Sequence, residues 1–231
     1  MTAPSSPHDG WAESASAWIA DMGENCDFGR QYVLDAPMLT RIAERGFRNA
    51  LDVGCGEGRF CRMLASLDIA TIGIDPTEAL VAQARIRHSA GDYRIARAEA
   101  LGFPDATFDL VISYLSLIDI PDLPAAIAEM TRVLAPGGTL LIANLTGFNT
   151  ARSGTADQSY LDEFAVWEAW RGIRVQNWHR PLARYMMLLL DAGLHLRYFD
   201  EPGPTGGEPA KAARYRKLPW YLIMEWQKAA G

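Results

Sequence analysis

The sequence predicts an α/β protein with a doubly wound, mostly parallel sheet, and three observations carry that expectation. Between residues 50 and 144 short apolar runs alternate with segments of helical periodicity, the pattern of a parallel sheet with helices on both faces. The first run leads into three glycines at alternate positions, Gly54, Gly56 and Gly58. The second run, Ala70-Thr71-Ile72-Gly73-Ile74, ends in Asp75, about 20 residues beyond Gly54, the separation at which an acid on the neighbouring strand tip can grip a ribose diol.

In chain order, residues 1–10 are rich in proline and serine and read as a flexible tail. The remainder, 11–231, reads as a single domain. A helix from Trp11 to about Ala20 carries Trp11, Ala15 and Trp18 on one side, and a second from roughly Asp27 to Glu44 contains Pro37 as a kink or break. Together they form an expected N-terminal helical cap, 11–45. The strand at 50–53 leads to a helix at 58–67, in which Phe60, Met63, Leu64 and Leu67 make one face. Next come a strand at 70–74, a helix at 77–88, a strand at 92–96 and a strand at 108–113. A helix at 122–134, with Leu123, Ile127, Met130 and Leu134 inward, is followed by the turn Pro136-Gly137-Gly138 and a strand at 139–144. Residues 146–178 break the alternation, polar at first and then aromatic (Tyr160, Phe164, Trp167, Trp170, Trp178). A long connection inside a compact domain is more often a functional lid than a linker, so 146–178 reads as a lid insertion. An apolar helix from Pro181 to Ala192, a strand at 194–199, a Gly/Pro loop at 202–209 and a strand near 218–226 complete the chain.

The glycine turn is where ligand chemistry is expected. Glycine permits positive φ and close backbone approach, and a helix start supplies free N–H groups with a positive dipole end. Arg59 stands where a dinucleotide fingerprint would place its third glycine, which argues against a pyrophosphate over that helix. The expected ligand therefore has a ribose and no pyrophosphate.

On these residues the sequence resembles the class I S-adenosylmethionine-dependent methyltransferases, in particular the small-molecule group similar to ubiquinone/menaquinone methyltransferases. The resemblance runs from about Asn49 to Phe148. It implies a seven-stranded Rossmann-like sheet whose last strand is antiparallel, and S-adenosyl-L-methionine as cofactor. It also implies a cofactor set of Asp52, Gly54, Gly56 and Gly58 at the methionine part, Asp75 at the ribose, Pro76 on the adenine, and Ala98 and Glu99 at the adenine edge, with Ser113 beyond strand four. Arg97 departs from the pattern, because the family usually has an acid there; either Glu99 substitutes for it or the backbone alone reads the adenine. The proline-rich motif of nucleic-acid amino-methyltransferases is missing after Ser113-Tyr114.

Outside that set, His179 is the ionisable residue of interest. It lies just before Pro181, a residue suited to a first helical turn, so it is expected on the ligand side, either as a catalytic base or as a cap that orders the lid. Tyr32, Tyr114, Tyr160 and Trp178 are candidate substrate walls. A net charge of −6 and a pI near 5.2 disfavour a nucleic-acid partner, which calls for a basic face. Three cysteines without metal-ligand spacing suggest reduced thiols, no metal site and a cytoplasmic protein, and no apolar run is long enough to insert in a membrane. The expected activity is methyl transfer to a small molecule, at O, N or C, with a homodimer possible. Two rivals stand beside it: a non-catalytic cofactor-binding module or partner subunit, and an NAD-dependent oxidoreductase.

Overall fold

The computed structural model describes residues 9–23 and 26–230; the expected tail at 1–10 lies outside them except for its last two residues. Seven strands form one sheet: β1 (Asn49–Val53), β2 (Ala70–Asp75), β3 (Asp92–Ile95), β4 (Phe108–Tyr114), β5 (Leu134–Leu145), β8 (Leu194–Asp200) and β9 (Tyr221–Lys228). Their order is β3-β2-β1-β4-β5-β9-β8. The first five are parallel, while β9 runs antiparallel to both β5 and β8. Strand order therefore reverses between β1 and β4, and the space beyond their carboxyl ends is where such a sheet holds ligands.

Alternation along the strands sends successive side chains to opposite faces. Leu51, Val53, Ile142, Met224 and Trp226 pack on one side, against α5 (Leu123–Val133) and α7 (Leu182–Asp191). Ala50, Ile112, Leu141 and Ile223 pack on the other, with Phe60 and Leu64 of α3 (Arg59–Ala65) and Met38 of α2 (Asp35–Thr40). Helix α4 (Glu78–Arg87) packs beside β2 and β3 through Val81 and Ala84, in contact with Tyr93. The elements of the α/β core fall within a residue or two of the sequence-based bounds, apart from β5, which starts earlier at Leu134, and β9, which starts later at Tyr221.

Three segments differ from expectation. The helix expected at 27–44 is a π-helical turn, Arg30–Leu34, running into α2 and ending at Thr40. Pro37 has no N–H to give Val33; the preceding turn is widened, with Asp35 N–H donating to the Arg30 carbonyl five residues back. The insertion at 146–178, for which no helix or strand was expected, carries regular structure. After α6 (Gly147–Thr150) it folds into a separate antiparallel hairpin, β6 (Phe164–Trp170) and β7 (Ile173–His179). Its two-residue turn, Arg171-Gly172, has positive φ at both positions (44° and 82°), the geometry matching strand twist. The third is α8 (Pro209–Tyr215), in a region expected to be loop, capped by Glu208, whose carboxylate accepts from Ala210 and Lys211 N–H. Among the described residues no helix is long and apolar enough to cross a membrane.

Helix α1 (Trp11–Met22) is held to the hairpin. Buried Ser14 Oγ donates to the Arg174 carbonyl (3.0 Å) and accepts the Arg174 N–H (2.9 Å), bridging α1 to β7. The hairpin is tied in turn to the loop after β4, where Trp178 N–H donates to the Ile118 carbonyl at 2.6 Å. This chain of contacts carries α1 across the carboxyl edge of the sheet.

Candidate functional site

A cleft opens at the carboxyl ends of β1 and β2, beside the loop after β4. Its floor is the turn from β1 into α3. Gly54 and Cys55 N–H groups both donate to the Ile74 carbonyl (2.8 and 2.9 Å), which fixes the turn to β2. All three glycines have positive φ, but they do different things. A Cβ at Gly54 would lie 2.3 Å from Ser116 Cβ, and one at Gly58 2.6 Å from the Tyr93 ring. These two serve packing, and Gly58 does not line the cleft. A Cβ at Gly56 would point into space, with Trp18 Nε1 nearest at 3.9 Å; that opening is where a ligand can press on the backbone.

Two buried carboxylates flank this turn. Asp75 accepts from Gly56 N–H (3.0 Å) and Thr77 N–H (2.8 Å), which aim its oxygens at the cleft, while burial raises its pKa against those two bonds. Asp52 accepts from the Cys61 thiol at 3.2 Å through Oδ2, and its Oδ1 is buried with no hydrogen-bond partner among the described residues. Burial pushes Asp52 up to about 7, with the Cys61 bond opposing and the Asp75 and Glu57 charges adding. An orphaned acceptor in a ligand cleft is a place for a cationic group, since a buried polar atom left unpaired is costly.

The far wall holds Pro76, Ala98 and Glu99. Arg97, which stands where the resemblance calls for an acid, ion-pairs with Glu99 at 2.9 Å, and both line the cleft. Tyr114 also lines it, its hydroxyl donating to Asp35 Oδ1 (2.8 Å); Arg59 binds the same carboxylate through both terminal nitrogens.

Several expected site residues stand elsewhere. Ser113 is fully buried in β4 and donates to Ser116 Oγ (2.7 Å), which donates to the Val53 carbonyl (2.6 Å). Ser116 faces the cleft and Ser113 holds it in place. Tyr32 packs on Phe28 and beside Gly206 and Gly207. Tyr160 stacks on Phe148, and Trp178 is covered by the Arg180 guanidinium. His179 closes β7 rather than opening α7, whose N-cap is Pro181. It is fully buried, with Nδ1 at 2.7 Å from Thr150 Oγ1 and Nε2 at 2.9 Å from the Tyr160 carbonyl. With both ring nitrogens engaged and no part of the ring in the cleft, the ligand-side placement of His179 is corrected: the hairpin turns it inward.

Sequence reasoning missed the roof. Trp11 and Trp18, edge-to-face at 5.2 Å, lie over the cleft with Arg30, whose guanidinium sits 4.9 Å from the Trp18 ring centroid. It also missed Asp119, which lines the cleft and accepts from Asn177 Nδ2 at 2.6 Å. The aromatic stripe of α1 was legible; its destination was not.

Comparison with known proteins agrees with this geometry. Residues 51–142 match the methyltransferase domain family. Over 108 residues the chain is 36% identical to malonyl-[acyl-carrier protein] O-methyltransferase of Serratia marcescens, covering 47% of this chain and 42% of that protein. Over 153 residues it is 32% identical to ajmaline N-methyltransferase of Rauvolfia serpentina, covering 63% and 52%. The chain thus spans about half the length of the curated relatives it matches. An S-adenosylmethionine-dependent methyltransferase structure from Mesorhizobium loti superposes with a TM-score of 0.71 at 24% identity, over 83% of this chain and 96% of that one. Residues 51–142 thus match a methyltransferase domain, and the sheet has the fold of S-adenosylmethionine-dependent methyltransferase structures.

Proposed function

We propose that this protein transfers a methyl group from S-adenosyl-L-methionine to a small-molecule acceptor. The observation that carries the reading is the pair of buried carboxylates on either side of the open Gly56 backbone. Asp52 offers an unpartnered oxygen suited to the ammonium of an amino acid, and Asp75 offers a fixed carboxylate suited to a ribose diol. Pro76 and Ala98 supply a small apolar wall for adenine, where Arg97 has taken up the Glu99 carboxylate. Bound here, the cofactor supplies an activated methyl on a sulfonium, so the protein mainly has to hold and align the reactants out of water. Trp11, Trp18 and Arg30 cover that space.

The acidic balance, −6, supports a small acceptor over a polyanionic one. The three free cysteines support a reducing, cytoplasmic setting. O- and N-methyltransferases both stand among the relatives, so the comparisons leave the acceptor atom open. Calorimetry with S-adenosylmethionine tests the cofactor site. Asp75→Ala is expected to weaken binding about 10- to 100-fold, the equivalent of roughly 1.5–3 kcal/mol for a charged hydrogen bond. Unchanged affinity in that variant means the ribose is held elsewhere. Incubation of cell extract with methyl-labelled cofactor tests the acceptor class: label is expected in the small-molecule fraction, and label only in protein or RNA overturns the reading.

A further inference from the structure

Beside the cofactor cleft lies a second cavity, of about 560 Å³, within the range of small-molecule sites. The two share Trp11, Trp18, Arg30, Leu115 and Asp119 in their walls. Beyond that partition the second cavity is walled by Trp170 and Val166 of the hairpin and by Tyr215, Trp220 and Tyr221. Flat rings therefore face it from both sides of the molecule.

Its charges are uneven. Of its acids, Asp27 pairs with Arg30 and Asp21 with Arg171. Asp119 and Glu168 have no cationic partner among the described residues. Asp119 is bonded to Asn177 and to the Trp11 side chain, both neutral donors. Burial pushes its carboxyl up to about 8, the Trp11 and Asn177 bonds opposing and the charges of Asp75 and Asp9 adding. The cavity's second arginine, Arg152, lies over the Trp220 ring instead of against an acid, at 5.7 Å from its centroid. Glu168 balances the unpaired Arg152, and the Asp119 carboxyl is one that a cation beside it would ionise, so a cavity with these aromatic walls favours a guest that is flat and cationic.

We infer that this cavity is the acceptor site, that its substrate is a flat aromatic ring bearing an aliphatic amine that enters as an ammonium, and that Asp119, at the junction with the cofactor cleft, takes the proton from it. The inference rests on the methyltransferase reading and names its acceptor. Binding of the ammonium beside Asp119 favours loss of its carboxyl proton to solvent, and the carboxylate so formed accepts one proton from the ammonium. The nitrogen lone pair so released forms the N–C bond to the methyl as the C–S bond breaks, and that electron pair remains on sulfur. The product leaves as a methylated ammonium, and Asp119 returns its proton to solvent. Glu168, on the hairpin strand that pairs with the one carrying Asn177, holds the positive charge without touching the reacting atoms.

Three compounds with one ring system test this: tryptamine, tryptophol and indole-3-propionate, each assayed with methyl-labelled S-adenosylmethionine and the full chain. Label is expected in tryptamine alone. Asp119→Asn is expected to lower kcat for tryptamine about 100-fold or more, with cofactor affinity from calorimetry within about threefold and Asp119→Glu partly restoring the rate. Glu168→Gln is expected to raise KM several-fold and leave kcat nearly unchanged, which a purely structural role does not predict. Methylation of tryptophol or indole-3-propionate with tryptamine inert overturns the proposal. So does cofactor binding with no transfer to the amine, or an unimpaired Asp119→Asn. A wild-type chain that does not bind S-adenosylmethionine at all overturns the underlying methyltransferase reading as well, and so is told apart from failure of the amine assignment alone.

Discussion

At Asp52 burial and ligand binding pull in opposite directions, and pH exposes the conflict. Its carboxyl rises from 3.8 to about 7 on folding, so the stability it contributes is whole below its unfolded value and is lost as pH rises through about 7. Asp52→Asn, a near isostere, is therefore expected to be more stable than the wild type near pH 8, with the gap closing near pH 4, in urea titrations. Binding has the other sign. An ammonium group prefers the ionised carboxylate, so affinity for S-adenosylmethionine is expected to rise about tenfold between pH 6 and pH 8, with Asp52→Asn losing that dependence; calorimetry at both pH values checks it. His179 is governed by burial alone. Both its nitrogens are bonded inside the fold, so His179→Ala is expected to cost about 2–4 kcal/mol from the unmade bonds and the cavity left. Turnover per folded molecule should stay within a few-fold, as measured by kcat alongside thermal melting; a loss of 100-fold at unchanged stability would return the histidine to the chemistry. The glycines separate in the same way: Gly58→Ala, facing Tyr93 at positive φ, is expected to lower stability, whereas Gly56→Val is expected to lower cofactor affinity further than any loss of stability explains.

At the scale of elements, α1 is joined to β7 by the pair of bonds Ser14 makes with Arg174, beside the Asp21–Arg171 ion pair at the hairpin turn. Ser14 is both donor and acceptor to Arg174, and Gln176 N–H donates to the Asp9 carbonyl at 2.8 Å beside it. Ser14→Ala leaves two backbone groups of β7 without that partner, at about 1–3 kcal/mol. The loss is expected to be local. Amide exchange over 11–22 should accelerate and S-adenosylmethionine should bind more weakly, because the two tryptophans no longer exclude water, while exchange in β1, β4 and β5 stays slow. Uniform acceleration across the sheet would mean that α1 belongs to the core rather than to a cover.

The whole molecule is organised by where the sheet reverses. The strands that follow β1 and those that follow β4 are laid down in opposite directions, an apolar layer covers each face of the sheet, and the hairpin and α1 cover the cleft at its carboxyl edge. A ligand held there binds only the folded state, so S-adenosylmethionine at about 100 times its dissociation constant is expected to add about 2.7 kcal/mol to stability, read as a raised melting temperature. NADH is expected to add none, because Arg59 occupies the place where its pyrophosphate would need a glycine. A shift with NADH and none with S-adenosylmethionine would restore the oxidoreductase reading.

Periodicity over short windows was enough to reveal the seven core strands, the helices between them and the strand-glycine-helix turn, because each is specified by residues within a few positions of one another. Asp75 was legible for the same reason: it ends its own strand, and β2 pairs with β1 in register from Asn49 to Val53. The hairpin left a local trace in Arg171-Gly172 and the alternation of 173–179, and α8 left one in Glu208-Pro209; both signals were present and outweighed by the surrounding polar and Gly/Pro residues. What local sequence could not carry was placement through distant pairing. Ser116 rather than Ser113 meets the cleft because β4 continues to Tyr114 and the following turn packs against Gly54. Helix α1 covers the cofactor cleft because Ser14 binds a strand 160 residues away. Asp119 reaches the junction of two cavities because Asn177 and Trp11 hold it from separate segments. The sequence by itself determined the sheet and the cofactor turn, through contacts each element makes with its own neighbours. Only the tertiary structure decided the roof, the second cavity and the inward turn of His179, because those follow from which distant surfaces bury one another.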